Sequence, residues 1–127
     1  MMKAKKILLV EDNLLNQQLT ANILNRGGYT ADVAENGQEG VNMFMKNNYE
    51  VVLMDIQMPV MDGIQATRLI REYEKSSGCN KSKIIAVTAH AQEDEKENLF
   101  SAGMDLYLCK PFRAEDLLNI IRNGHEH

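Results

Sequence analysis

Short apolar runs alternate with amphipathic stretches along the whole chain. Residues 6–10, with Ile7-Leu8-Leu9-Val10, predict a buried strand. Residues 13–26 predict a helix with Leu15, Leu19 and Ile23 on one face, closed by Gly27-Gly28. Residues 29–34 alternate as a second, more exposed strand, and residues 36–46 form a helix with Val41, Phe44 and Met45 inward. Val51-Val52-Leu53-Met54-Asp55 is a third strand. The loop 56–61 contains Pro59, and Asp62-Gly63 opens a helix to about Tyr73, with Ala66, Leu69, Ile70 and Tyr73 inward. Glu74 to Ser82 is polar and predicts a surface loop. Residues 84–88 give a fourth strand, 92–102 a weakly amphipathic helix resting on Leu99 and Phe100, and 105–109 a fifth strand. The last helix, 113–122, turns Ala114, Leu117, Leu118 and Ile121 inward.

Five β-α units with short connections predict an α/β fold, a parallel five-stranded sheet between two helix layers. Right-handed crossovers restrict the topology, and fold-level analogy favours strand order 2-1-3-4-5. In that order the winding of successive strands reverses between strands 1 and 3. Glu11-Asp12 and Asp55, each closing one of those strands, then face the same crevice.

Composition narrows the classes without selecting among them. The 127 residues fit one domain, with a core expected over about 5–122 and flexible ends at 1–4 and 123–127. A net charge of −4 provides no electrostatic footprint for nucleic acid, and the basic leader Lys3-Ala4-Lys5-Lys6 is too short to change that. No segment approaches the ~20 apolar residues of a membrane span, so a cytoplasmic domain is expected. Cys79 and Cys109 form no CxxC motif, and the three histidines, two of them His125 and His127 in the tail, make no ligand set.

The chemistry concentrates on strand ends. Carboxylates at positions 11, 12 and 55 would repel one another once brought together, and burial adds to that cost. A hard divalent cation relieves both, and Mg²⁺ takes carboxylate oxygens while keeping several waters. Asp12 and Asp55 are the expected direct ligands, with Glu11 acting through water and the Gln57 backbone carbonyl as a further oxygen. The plainer reading is that acids at strand ends only cap the next helix, as Asp12 or Asn13 could. Three acids on two adjacent strands argue against it. A carboxylate so placed can act as a nucleophile and form an aspartyl-phosphate, which makes Asp55 the candidate acceptor. Lys110 closes the fifth strand and would pair with a phosphate oxygen. The Lys110-Pro111 step points to a rigid turn that aims the lysine, a cis peptide bond being one form of it. Thr88 could donate its hydroxyl to the phosphate, although a β-branched residue in a strand needs no such explanation.

Four segments then carry a resemblance. Leu8-Leu9-Val10-Glu11-Asp12-Asn13, Met54-Asp55-Ile56-Gln57-Met58-Pro59-Val60-Met61-Asp62-Gly63, Val87-Thr88-Ala89 and Tyr107-Leu108-Cys109-Lys110-Pro111-Phe112 resemble, in order, the receiver domain of two-component response regulators. The resemblance runs from about residue 5 to 122. It implies a flavodoxin-like fold, Mg²⁺, and phosphorylation of Asp55 by a partner phosphohistidine on a histidine kinase or phosphotransfer domain. It further implies metal roles for Glu11 and Asp12, and phosphate roles for Thr88 and Lys110. Tyr107 matches the family's switch aromatic, expected to turn inward as Thr88 moves toward the phosphate. Gln57 and His90 flank the site at positions that would govern water access to the acyl phosphate.

The wording around Asn16-Gln17, Ala66-Thr67 and Ile70-Arg71 is similar to receivers fused to sensor kinases. A fragment of a hybrid sensor histidine kinase, its parent possibly anchored in a membrane, is therefore expected; a stand-alone single-domain regulator is the alternative. Leu15, Asn16, Leu19 and Phe112 are candidate docking residues for the partner, and a monomer or weak dimer is expected. Two readings of other classes compete. A flavodoxin-like cofactor binder needs a phosphate cradle after strand 1, where Glu11-Asp12 would repel it. An Asp-nucleophile phosphatase needs a second acid two residues beyond the nucleophile, where Gln57 stands. Slow self-hydrolysis, not turnover of external phosphate esters, is expected.

Overall fold

The structure is a computed structural model and describes residues 6–89 and 92–123. Expectations placed on 1–4, His90 and 124–127 lie outside the described residues. Five strands, β1 (Lys6–Val10), β2 (Thr30–Ala34), β3 (Val51–Asp55), β4 (Lys83–Thr88) and β5 (Leu106–Cys109), alternate with five helices. The helices are α1 (Leu14–Arg26), α2 (Gly37–Lys46), α3 (Gly63–Ser77), α4 (Glu93–Ala102) and α5 (Ala114–Asn123). All four strand pairings are parallel, in the expected order β2-β1-β3-β4-β5. Asn123, expected in the flexible end, is the last residue of α5.

Side chains on a strand alternate between faces, and here the alternation divides the core in two. Ile7, Leu9, Val51, Leu53, Ile85 and Val87 pack on one face with Leu24 of α1 and Leu117, Ile120 and Ile121 of α5. On the other face Leu8, Val10, Val52, Met54, Ile84 and Ala86 pack with residues of α2, α3 and α4, among them Phe44, Ile70 and Leu99. β1 and β3 are paired with Val10 opposite Met54, so Glu11 and Asp55 follow side by side. By the same parity both side chains fall on the α1/α5 face. Leu108 packs on that face too, so Lys110, two residues on, shares it. Tyr107 packs on the opposite face, toward α4.

Several expected helix faces are rotated or shortened. On α1 the buried residues are Thr20 and Leu24, while Leu15 and Leu19 are 62% and 53% exposed. One residue of offset turns a helix face by about 100°, enough to move a leucine stripe from core to solvent. Met45 and Ala114 are exposed, and Ile120 rather than Ala114 completes the α5 face. Phe100 is 40% exposed, leaving Leu99 and Ala102 as the buried residues of α4.

The largest correction concerns Glu74–Ser82, expected as a loop. α3 continues through Ser77 and ends where Gly78 takes a left-handed conformation, φ 73°, and donates its N–H to the Glu74 carbonyl. Glu74 is buried, with its carboxylate 2.8 Å from Arg71 Nη1 and accepting the Ser82 N–H at 2.6 Å. Arg71 Nη2 also reaches Asp105 at 2.7 Å, and Arg71 Nε donates to the Gly103 carbonyl at 2.8 Å. A buried acid paired in this way extends a helix that its polar sequence suggests should stop.

Candidate functional site

β1 runs past its last ladder residue, because the Glu11 N–H still donates to the Ala34 carbonyl of β2 at 3.0 Å. The chain then reverses into α1, whose N-cap is Asn13; its side chain accepts the Asn16 N–H at 3.0 Å. The carboxylate alternative for this cap is thereby excluded: Asn13 caps the helix and Asp12 is left exposed to solvent. Glu11 and Asp55 are buried. One oxygen from each of Glu11, Asp12 and Asp55 can be chosen so that all three lie within 4.8 Å of one another.

Lys110 provides the opposing charge. Its Nζ lies 3.4 Å from Asp55 Oδ1 and 3.6 Å from Glu11 Oε1. The Lys110 N–H donates to the Thr88 carbonyl at 2.8 Å, which ties the β5 end to β4, and the Lys110-Pro111 bond is cis. Burial, followed by the adjacent Asp55 carboxylate, pushes the Glu11 carboxyl above its ordinary pKa; Lys110 and Asp12 oppose that rise. Among the described residues, three acids against one lysine leave an excess of negative charge in the cleft. Oxygen donors, net negative charge and open coordination toward solvent fit a hard divalent cation of the Mg²⁺ type.

A cleft of about 160 Å³ gathers Glu11, Asp12, Asp55, Gln57, Thr88 and Lys110. The structure thus brings together every residue expected at the metal and phosphate positions. Gln57 is exposed at its rim and Thr88 is buried in its wall. Tyr107 lies apart, on the far side of the sheet. Its ring meets Phe100 edge-on, centroids 6.3 Å apart, and Lys96 Nζ sits 4.9 Å from its centroid.

Of the four docking candidates, Asn16, Leu19 and Phe112 line an apolar groove of about 670 Å³ between α1 and α5 that opens onto Asp55 and Lys110. Leu15 is outside that lining and projects into solvent. Leu14 and Val60 are also exposed, at 66% and 81%. Val60 holds φ 72° in a three-residue turn closed by the Met61 N–H to the Pro59 carbonyl at 2.8 Å, a strained arrangement for a β-branched residue.

Three site features were not anticipated from the residues. Gln17 Nε2 donates to the Glu11 carbonyl at 2.7 Å. Gly63 packs so closely on the Asp55 carbonyl oxygen that no Cβ fits. Lys96 covers Tyr107. Only Gly63 left a sequence signal, an Asp-Gly step at a helix start. Gln17 reaches back six residues across a turn, and Lys96 meets Tyr107 across two elements.

Comparison with known proteins agrees with this geometry. Residues 7–122 match the family model of the response regulator receiver domain. The chain is 44% identical over 124 residues to hybrid signal transduction histidine kinase B of Dictyostelium discoideum, covering 91% of this chain but 6% of that protein. It therefore spans only a small part of that curated relative. Among solved structures it resembles the receiver domain of sensor histidine kinase PA1611 from Pseudomonas aeruginosa, with magnesium coordinated in the active-site cleft. That match has TM-score 0.84 and 39% identity, covering 94% of this chain and 95% of the other. It also resembles the receiver domain of Ssk1 in complex with the histidine phosphotransfer protein Ypd1 from Saccharomyces cerevisiae. There the TM-score is 0.86 and the identity 31%, covering 92% of this chain and 86% of the other. The chain belongs to the response regulator receiver domain family, the phosphorelay signalling domains of two-component systems.

Proposed function

We propose that Asp55 is the phosphoacceptor, taking its phosphoryl group from a phosphohistidine on a histidine kinase or phosphotransfer domain. The observation that carries this is the buried Asp55 carboxylate, grouped with Glu11 and Asp12 and facing Lys110 Nζ at 3.4 Å. An Asp55 carboxylate oxygen attacks phosphorus, the new O–P bond forms as the N–P bond breaks, and the electron pair leaves on the imidazole nitrogen. Phosphoryl transfer depends mainly on positioning and charge neutralisation, which this site supplies. Lys110 pairs with a phosphoryl oxygen. Glu11, Asp12, Asp55 and the Gln57 backbone carbonyl hold Mg²⁺, which supplies neutralisation of the charge on the transferring group.

Downstream of transfer, the Thr88 hydroxyl moves to the phosphoryl group and Tyr107 turns inward, a local charge change biasing a two-state element. The α1/α5 groove beside the site receives the partner, with Leu15, Asn16, Leu19 and Phe112 at its contact. Its support is the apolar lining and the exposed leucines of α1. The domain is the receiver of a hybrid sensor kinase, a reading supported by the identity to such kinases.

Incubation with Mg²⁺ and acetyl phosphate followed by intact-mass measurement tests the central step. One added phosphate, absent in Asp55→Asn, is the expected result. A folded wild-type sample that gains no mass at any Mg²⁺ concentration would refute it.

A further inference from the structure

The two acidic residues at the end of β1 are joined by a single peptide unit, and a side chain outside the acid cluster holds that unit in place. The Glu11 carbonyl belongs to a buried residue, and leaving such a carbonyl unpaired is costly. Gln17, half-buried on the second turn of α1, donates Nε2–H to it at 2.7 Å. On the other side of the residue the Glu11 N–H is held by the Ala34 carbonyl at 3.0 Å. The peptide unit is planar, so pinning the Glu11 oxygen also orients the Asp12 N–H and the Cα atoms on both sides. Through that one plane Gln17 sets the directions in which the Glu11 and Asp12 carboxylates leave the backbone.

The residue type fits this task. A primary amide donates without adding charge, whereas a carboxylate would meet the carbonyl oxygen acceptor-to-acceptor beside three existing acids. The side chain is long enough to reach back over the turn that Asn13 caps. The Gln17 backbone N–H bonds Asn13 at 2.9 Å, so the donor is itself anchored to the first turn. Mg²⁺ demands near-ideal octahedral geometry, and small tilts of a ligand backbone are felt in affinity.

We propose that Gln17 is a positioning residue for the acidic pair, acting on divalent-cation affinity through the Glu11–Asp12 peptide plane. This rests on the proposed role of Glu11 and Asp12. Partners that orient ligands in this way change metal affinity by about tenfold or more when removed.

The test compares wild type with Gln17→Met, a variant of similar length with no donor, by titrating Mg²⁺ into the ¹⁵N-labelled full chain and following amide shifts. The Mg²⁺ dissociation constant is expected to rise about tenfold. Phosphorylation by acetyl phosphate should require correspondingly more Mg²⁺ yet reach the wild-type rate at saturation, with the melting temperature in chelator lowered because the Glu11 carbonyl loses its partner. An unchanged dissociation constant, or a lowered plateau at unchanged affinity, overturns the proposal. A second measurement needs no variant: in wild type the Gln17 side-chain amide protons should be protected from solvent exchange and shift on Mg²⁺ addition. Free exchange refutes the clamp even if Gln17→Met fails to fold. If wild type binds no Mg²⁺, the reading of Glu11 and Asp12 fails and the clamp with it; Mg²⁺ bound equally by both proteins removes the clamp alone.

Discussion

Gly63 and Asp55 are packed backbone to backbone: a Cβ at Gly63 would fall inside van der Waals contact with the Asp55 carbonyl oxygen and would also crowd Ile56 Cα. The Gly63 N–H donates to the Ile56 carbonyl at 3.0 Å, so the start of α3 is fastened to the end of the strand that carries Asp55. Neither neighbour is a flexible side-chain tip. Gly63→Ala must therefore displace either α3 or the Asp55 backbone. Overpacking of this kind costs about 1–3 kcal/mol, measurable as a lower urea midpoint at unchanged slope. Phosphorylation of the folded fraction by acetyl phosphate should also slow, because the carboxylate moves with its backbone.

At the opposite end of the sheet, Arg71 ties α3 to the starts of β4 and β5. Its guanidinium meets Glu74 at 2.8 Å and Asp105 at 2.7 Å, with the Arg71 and Glu74 side chains only 15% and 6% exposed. Arg71→Met strands the Glu74 carboxylate in a buried position. Breaking such a pair from one side costs about 3–5 kcal/mol. Chemical unfolding should show a loss in that range, while the Mg²⁺ dependence of phosphorylation in the surviving folded protein stays as in wild type. A shift in that dependence would mean that the two ends of the sheet are coupled.

The legibility of the sequence follows the same division between local and distant contacts. β1, β3 and β4 were readable because they are buried on both faces and spell out apolar runs. Strand parity then carried Glu11, Asp55 and Lys110 to one face, so most of the site followed from strand ends alone. The inner face of α1 was not readable in this way. Leu15 and Leu19 make a better apolar stripe than Thr20 and Leu24, but the latter pair is buried. The end of α3 was hidden because Glu74 is buried only by virtue of Arg71, and the Gly78 stop signal was outweighed by the polar residues before it. Gln17 and Lys96 act on groups that turn and topology bring near, which periodicity does not register.

Grouped carboxylates also predict a metal-linked stability. In chelator, Glu11, Asp12 and Asp55 repel one another, with Lys110 the cation among the described residues that pairs with them. A cation bound only by the folded state stabilises it by about 2.7 kcal/mol at a hundredfold excess over its dissociation constant. Wild type should therefore melt at a higher temperature in Mg²⁺ than in chelator. Asp55→Asn, which removes one repelling charge and one ligand, should be more stable than wild type in chelator and gain less from Mg²⁺. Differential scanning fluorimetry across a Mg²⁺ series reads both effects. Equal gains in the two proteins would remove Asp55 from the cation site.

The docking reading separates two routes to the same phosphoaspartate. Leu19 is 53% exposed on the groove that opens onto Asp55, and Leu15 is 62% exposed one turn earlier. Replacing both by Ser removes apolar surface that solvent already reaches, so folding stability should change by less than about 0.5 kcal/mol per site. Transfer from a phosphorylated histidine phosphotransfer domain should slow by an order of magnitude or more, because the loss of anchor residues raises the dissociation rate. Phosphorylation by acetyl phosphate needs no docking and should keep its rate. Equal slowing by both donors would place the two leucines in the integrity of the site instead.

Lys96 and Tyr107 set the last expectation. The ammonium lies 4.9 Å from the ring centroid, and Phe100 closes the ring's edge. Both contacts come from α4, whose buried residues are only Leu99 and Ala102, so they hold Tyr107 in its present position, partly buried against the core, through a thinly anchored helix. A cation over an aromatic ring at a partly exposed site contributes about 0.5–1 kcal/mol. If Tyr107 moves inward on phosphorylation, Lys96→Met should raise the inward population before any phosphate is added, by about two- to fivefold. The Tyr107 ring resonances of the unmodified variant would then lie part-way toward those of phosphorylated wild type. Lys96→Arg, which keeps a cation over the ring, should leave them where wild type has them. Resonances unmoved in Lys96→Met would show that Phe100 and the sheet alone hold the ring.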